Sequence, residues 1–321
     1  MLTPFQQNME IDWQSLEKLI DWYIAAKVHG LFAVCQSSEM FFLSDKEAAQ
    51  LTRFIVDYTD GRVPVVASGH TGNSLSHQED QLSAIAATGV DSVILISNRL
   101  CAIDEPNEVF HSRLQELLSK LPEKPGLGIY ECPYPYKRLL TDDVIDWCAK
   151  SGRFDFLKDT CCNLDTLRRR AEIVKGSSMR IANANAQTLL DSMKAGCHGY
   201  SGVMANFHPS LYVWLVENWQ DHPEEAEILS QFLSISALSE SMDYPVCAKD
   251  FQKAIGNFAS VICRSRPSGG FYQNHYQTTV EQMMQLGDKL SDFLNLDLGY
   301  AARIPSVVLG ERTKASASTQ R

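Results

Sequence analysis

Lys158 lies at the end of the run Phe154-Asp155-Phe156-Leu157-Lys158-Asp159, a short apolar segment that delivers an amine. An amine held where little water reaches it loses its proton, and the free amine attacks a ketone to form an imine. A surface lysine stays charged and does no such chemistry. Tyr130 ends a second apolar segment, Gly126 to Tyr130, and a phenol beside an imine can carry its protons. Other polar groups that follow apolar segments are Cys35-Gln36-Ser37-Ser38-Glu39, Gly69-His70-Thr71, Ser97-Asn98-Arg99, Asn183-Ala184-Asn185 and Ser201. Their hydroxyls and backbone N–H groups suit a carboxylate. The set as a whole fits imine chemistry on a 2-oxo acid, with the iminium as electron sink for carbon–carbon cleavage or proton loss.

These groups can meet only if the segments carrying them lie side by side. From residue 13 to about 220 the chain repeats one grammar: an amphipathic helical stretch, a small residue or glycine, then a short apolar strand. Strands are expected at Leu31–Cys35, Val63–Ser68, Ser92–Ile96, Gly126–Tyr130, Phe154–Leu157, Met179–Asn183 and around His198–Val203. Helix starts are signalled at Ser44-Asp45-Lys46-Glu47, a capping box, and at Thr141-Asp142-Asp143 and Asn163-Leu164-Asp165. Strands separated by helices imply a parallel sheet, and so many near-continuous apolar strands favour a closed (β/α)8 barrel. The catalytic face is then where the strands end. Only Met1 to Phe5 precedes the first helix, so the first strand is very short or cut off. Residues 1–220 read as the barrel and 221–310 as a C-terminal helical extension, with 311–321 a polar tail expected to be disordered.

Composition narrows the function. The 321-residue chain is 45% hydrophobic and carries a formal charge of −10, with no basic stripe, which argues against a nucleic-acid partner. No apolar run approaches the ~20 residues of a membrane span. The opening Met1-Leu2-Thr3-Pro4-Phe5 lacks the charged leader and apolar core of a signal peptide. Nine cysteines at irregular spacing fit reduced thiols and a cytoplasmic location. Cys161-Cys162 has no second pair or spaced histidines near it, so no metal site is expected, and no cofactor. His70 and His198 read as locally hydrogen-bonded histidines. No G-x-G-x-x-G follows the first strand and no P-loop occurs.

With those residues in view, the chain resembles the dihydrodipicolinate synthase / N-acetylneuraminate lyase family of lysine-dependent, class I aldolases and lyases. The resemblance is carried by Thr3-Pro4-Phe5 with Ile11-Asp12, Leu43-Ser44 with Glu47, and Arg62-Val63-Pro64-Val65. Tyr130 with Pro133, Lys158-Asp159-Thr160, Gly199, Ala205-Asn206 and Arg266-Pro267 continue it, so that it spans residues 3 to about 295. It implies that Lys158 is the Schiff-base lysine and Tyr130 the proton-relaying phenol. It places the family's Gly-[ST]-[ST]-Gly-Glu carboxylate loop on Cys35-Gln36-Ser37-Ser38-Glu39, where Ser37 keeps a hydroxyl, Gln36 replaces one, and both glycines are lost.

Departures bear on the substrate. The synthases' Pro-Tyr-Tyr is replaced by Ser97-Asn98-Arg99, which removes the tyrosine that a neighbouring subunit lends to the relay. The arginine that grips the second carboxylate would fall near Pro135, with Lys137 and Arg138 close behind, and a loop glycine becomes Ala184. Gln36, Ser37, Ser38, Asn98, Arg99, Arg138, Ala184 and Ser201 are therefore the candidate substrate contacts around Lys158 and Tyr130. The expected activity is an aldolase or lyase on a pyruvate-type 2-oxo acid, in particular a 2-keto-3-deoxy sugar acid. Dehydration of such an acid, a synthase-like condensation and non-catalytic binding of 2-oxo acids are the alternatives. The resemblance also implies a homodimer or homotetramer.

Overall fold

The structure is a computed structural model that describes residues 1–266 and 274–295. The tail read over 311–321, Pro267, and residues 267–273 and 296–310 of the C-terminal extension lie outside the described residues.

Seven parallel strands form one sheet in chain order: β1 (Leu31–Phe32), β2 (Val65–Ala67), β3 (Ser92–Ile96), β4 (Gly126–Tyr130), β5 (Phe154–Asp159), β6 (Arg180–Asn183) and β7 (Gly199–Tyr200). Between and after them run helices α1 (Trp13–Ala25), α2 (Asp45–Thr59), α3 (Leu75–Ala86), α4 (Ser97–Leu100), α5 (Asn107–Lys120) and α6 (Asp142–Ser151). α7 (Leu164–Val174), α8 (Leu189–Lys194), α9 (Pro209–Asn218), α10 (Pro223–Ser236), α11 (Val246–Ala254) and α12 (Asn274–Phe293) complete the set among the described residues. The alternation is that of a (β/α) barrel followed by helices.

Local chemistry explains the boundaries. At the start of α2 the Ser44 hydroxyl accepts from the Glu47 N–H at 3.2 Å, and the Glu47 carboxylate accepts from the Ser44 N–H at 2.9 Å, the reciprocal bonding of a capping box. α6 ends on Gly152 at φ +66°, a left-handed turn that a glycine enters without strain. β3 is buried along its whole length, as a strand covered on both faces must be. Its register with β4, and that of β4 with β5, set Ile96 beside Tyr130 and Tyr130 beside Lys158.

Seven strands are present among the described residues, not the eight of a closed barrel. No pairing joins β7 to β1. The segment Met1 to Phe5 adds only an isolated bridge between Phe5 and Ile11, while the Met1 amino group donates to the Phe32 carbonyl at 2.8 Å. A cavity of about 620 Å³ occupies the interior, with Leu31 and Phe32 on one side and Gly199 and Tyr200 on the other. It extends from Gly30, Pro64, Arg180 and His198, where strands begin, to Ser37, Lys158 and Ser201, where they end.

Two enclosed histidines make the fold acid-sensitive. His70 accepts the Ile96 N–H on Nδ1 at 2.9 Å, and His208 packs beside Phe232 and Phe251. Burial holds both at about 4, below the ordinary 6.5. Above 6.5 neither state is charged. As pH falls from 6.5 towards 4 the unfolded chain takes up protons that the folded one refuses, so stability declines across that window. Each histidine contributes at most ~3 kcal/mol. Urea midpoints should fall between pH 7.5 and 5, and His70→Asn should flatten the decline.

Candidate active site

Two lysines are buried among the described residues, and their surroundings differ in kind. Lys249 donates to Glu39 Oε1 at 2.5 Å and to the Ile262 carbonyl at 2.7 Å, so its charge is matched. Lys158 forms no ion pair among the described residues. Its Nζ lies 4.6 Å from the centroid of the Tyr130 ring and 5.5 Å from that of Phe32. Burial lowers its pKa from the ordinary value, opposed in part by Cys35, Cys132 and Glu240. An amine in that setting is free to act as a nucleophile.

Tyr130 follows from the register of β4 and β5, which places it beside Lys158 at the C-terminal end of the sheet. Its hydroxyl donates to Gln36 Oε1 at 3.1 Å. Burial holds the phenol well above its ordinary pKa, so it keeps its proton and can donate it. Gln36 therefore occupies the phenol's hydrogen-bonding direction.

Gln36–Ser38 form a short helical turn just after β1. Ser37 lines the cavity with Lys158 and accepts from the Tyr244 hydroxyl at 2.7 Å. Behind it, Asn206 Nδ2 donates to Tyr244 Oη at 2.9 Å, and the Tyr23 hydroxyl donates to Asn206 Oδ1. Ser201 also lines the cavity, held by its N–H on the Asn183 carbonyl at 2.9 Å. Glu39 accepts from Lys249 and from the Ser265 N–H at 2.6 Å, a bracing role.

Other candidates are not brought to the cavity. Ser38 turns away, its hydroxyl donating to the Met1 carbonyl at 2.8 Å and to that of Ala33. Asn98 Nδ2 donates to the carbonyls of Cys132, Tyr134 and Tyr136 at 2.8, 3.0 and 2.6 Å. Arg99 reaches Asn73 Oδ1 at 2.8 Å and lies over the Phe41 ring, while Arg138 reaches Asn107 Oδ1 at 3.1 Å and the Ile103 carbonyl at 3.2 Å. Asn98 and Arg138 brace loops with donors spent on neighbouring backbone and amides, whereas Arg99 bonds through Nη1 alone and its buried Nε has no partner among the described residues. Ala184 is held through its N–H on the Asp159 carbonyl at 2.9 Å. Among the described residues no three His, Cys, Asp or Glu side chains gather as metal ligands would, and no helix is long and apolar enough to cross a membrane. All nine cysteines are free thiols.

With this geometry established, the relatives can be compared. The model of the dihydrodipicolinate synthetase family matches residues 1–286. The chain belongs to that family. It is 26% identical to a 4-hydroxy-tetrahydrodipicolinate synthase of Magnetococcus marinus over 254 residues, covering 78% of this chain and 84% of the relative. A synthase of Staphylococcus saprophyticus is 23% identical over 263 residues, covering 80% of this chain and 86% of its own. Among solved structures, the family member YagE of E. coli K12, in complex with pyruvate, superposes with a TM-score of 0.80 at 21% identity, covering 89% of this chain and 96% of that one. The Acinetobacter baumannii synthase, also complexed with pyruvate, gives 0.79 at 19% identity over 90% and 97%. Both structures share the fold.

Sequence reasoning missed Tyr244 as a partner of Ser37. It comes from an irregular stretch after α10, where no periodicity signals a contact 207 residues away.

Proposed function

We propose that this member of the family is a class I, Schiff-base-forming aldolase or lyase that acts on a pyruvate-type 2-oxo acid. One observation carries the reading: an unpaired, buried Lys158 amine set 4.6 Å from the Tyr130 ring centroid at the end of a large cavity. Lys158 attacks the ketone, water leaves, and the iminium draws electrons from the bond to be broken. Tyr130 carries the proton between the substrate oxygen and the departing or developing carbon. Ser37 and Ser201, both lining the cavity, are the donors for the 2-oxo acid carboxylate. Pyruvate in the related complexes supports the substrate class, since it is the smallest 2-oxo acid whose imine has a C3 proton to lose.

The preferred substrate is a 2-keto-3-deoxy sugar acid. Its support is Ser97-Asn98-Arg99 where synthases carry their tyrosine motif, and the commitment of Arg138 to bracing contacts with Asn107 and the Ile103 carbonyl. Cleavage yields pyruvate and an aldehyde, whereas the alternative dehydration yields a new 2-oxo acid, so product analysis separates them. A synthase-like condensation would consume pyruvate only with an aldehyde acceptor. We assign the enzyme to the cytoplasm and to a homodimer or homotetramer. Ile103 and Leu139, exposed on neighbouring loops, support a partner at that face.

Incubation with pyruvate and borohydride should leave a reduced three-carbon adduct on Lys158, read by peptide mass. An unlabelled Lys158 across several 2-oxo acids would sink the proposal, and binding without turnover would favour a non-catalytic binder. Ser37→Ala should raise the KM for the 2-oxo acid by about tenfold or more, the loss of one hydrogen bond to a charged group, with less effect on kcat.

A further inference from the structure

The residues that follow Tyr130 and Lys158 are both acidic, and both are completely buried. Side chains alternate across a strand, so while Tyr130 and Lys158 face the interior, Glu131 and Asp159 face the helical layer. There they meet Arg170 of α7, itself 1% exposed. Arg170 Nη2 lies 2.8 Å from Glu131 Oε1, and Nη1 pairs with Asp159 Oδ2. Most of the remaining hydrogen bonds go to backbone, while the buried Arg170 Nε has no partner among the described residues. Glu131 accepts from the N–H groups of Leu140 at 2.7 Å and Thr160 at 2.9 Å, Asp159 accepts from Cys161 N–H at 2.8 Å, and Arg170 Nη2 donates to the Leu140 carbonyl at 2.6 Å. One guanidinium thus ties together the ends of β4 and β5, the end of the loop between β4 and α6, and α7.

Energetics suggest why such a cluster is present. Buried ion clusters seldom add net stability over apolar side chains of the same shape, because desolvation consumes the Coulombic gain. What they do supply is geometry, since planar two-pronged pairing tolerates little displacement. Burial pushes the Glu131 carboxyl up, Arg170 opposes the shift and Asp159 adds to it, so the carboxylates are compatible only with the guanidinium between them.

We propose that Arg170, gripping Glu131 and Asp159 behind the sheet, is a positioning residue that sets the Tyr130 phenol against the Lys158 amine. The proposal rests on the imine reading above. It divides the reaction into two readouts. Imine formation needs the Lys158 amine and a proton for the departing water, which solvent can give, whereas proton transfer at C3 of the bound pyruvate needs the phenol in place. In the first, borohydride reduces the iminium to a secondary amine on Lys158. In the second, the iminium loses a C3 proton to form the enamine and regains a deuteron from D2O, with no net change in oxidation state.

The experiment uses the full chain with pyruvate as probe and Arg170→Lys, which keeps the charge but loses the fork. The variant should label at Lys158 with borohydride as the unaltered protein does, while C3 deuterium exchange, followed by NMR, falls about tenfold to a hundredfold. Undiminished exchange in folded Arg170→Lys would overturn the proposal, as would labelling and exchange falling in equal proportion. Should that variant fail to fold by circular dichroism, Glu131→Gln, which keeps the side-chain shape, decides on the same two readouts. An unaltered protein that gives no adduct overturns the imine reading first, and the positioning role with it.

Discussion

Replacing Lys158 by methionine is expected to abolish borohydride-trapped adduct and all turnover, and at the same time to stabilise the fold. The two effects share one cause. The pocket disfavours the charged amine, and burial is the largest influence on it. At alkaline pH above the ordinary lysine value, folded and unfolded states are both neutral and the residue costs nothing electrostatically. As pH falls from there to the lowered folded value, the unfolded chain gains a proton that the folded pocket refuses, and the penalty is complete below it. At pH 7 methionine removes that penalty and keeps much of the side-chain volume, so Tm should rise by about 2 °C or more. A lysine that merely snorkelled at the rim would show neither effect. Thermal melts at pH 7 and pH 10 check the sign: the gain from methionine should shrink at the higher pH.

Replacing Tyr130 by phenylalanine should separate binding from proton transfer. The adduct at Lys158 should still form on borohydride reduction, because the ring that packs near the amine is kept. Turnover, and C3 deuterium exchange of pyruvate, should fall by roughly 10²–10⁴-fold, the usual worth of a positioned acid–base group. Gln36 loses the hydroxyl that donates to it at 3.1 Å, so stability should drop by ~1 kcal/mol. Equal loss of adduct and exchange would assign Tyr130 to pocket shape. Steady-state rates alongside peptide mass spectra are sufficient to tell the two apart.

The sequence makes some parts of this molecule readable and leaves others silent, for physical reasons. Ser92–Ile96 and Gly126–Tyr130 are found at the predicted bounds, because strands paired on both sides and covered on both faces show as unbroken apolar runs. The outer strands are shorter than expected. Leu31–Cys35 shrinks to Leu31–Phe32, and His198–Val203 to Gly199–Tyr200, since among the described residues each has a sheet neighbour on one side only. β5 runs two residues past Leu157, through Lys158 and Asp159, because Asp159 pairs with Asn183. Lys158 and Tyr130 are visible as polar residues at strand ends. The partners that shape their surroundings are not. Arg170 sits in the run Arg168-Arg169-Arg170, and nothing in that run marks which of the three is wholly buried. Asn98 and Arg138 carry donors that suit a substrate, and only three-dimensional placement reveals that neighbouring backbone carbonyls take most of them.

Among the described residues β1 and β7 each pair on one side only, which carries a consequence for how the molecule yields. Amides there should exchange with solvent through small local openings, whereas those of β3, β4 and β5, held from both sides, should wait for global unfolding. The groups proposed to make and break bonds, Lys158 and Tyr130, belong to the slow half. Ser201, just beyond β7, and the Gln36–Ser38 turn, just beyond β1, hang from the half that gives. Exchange in that pattern would make the molecule stiff where the proposed amine and phenol keep their distance, and compliant where acids of different length would be gripped.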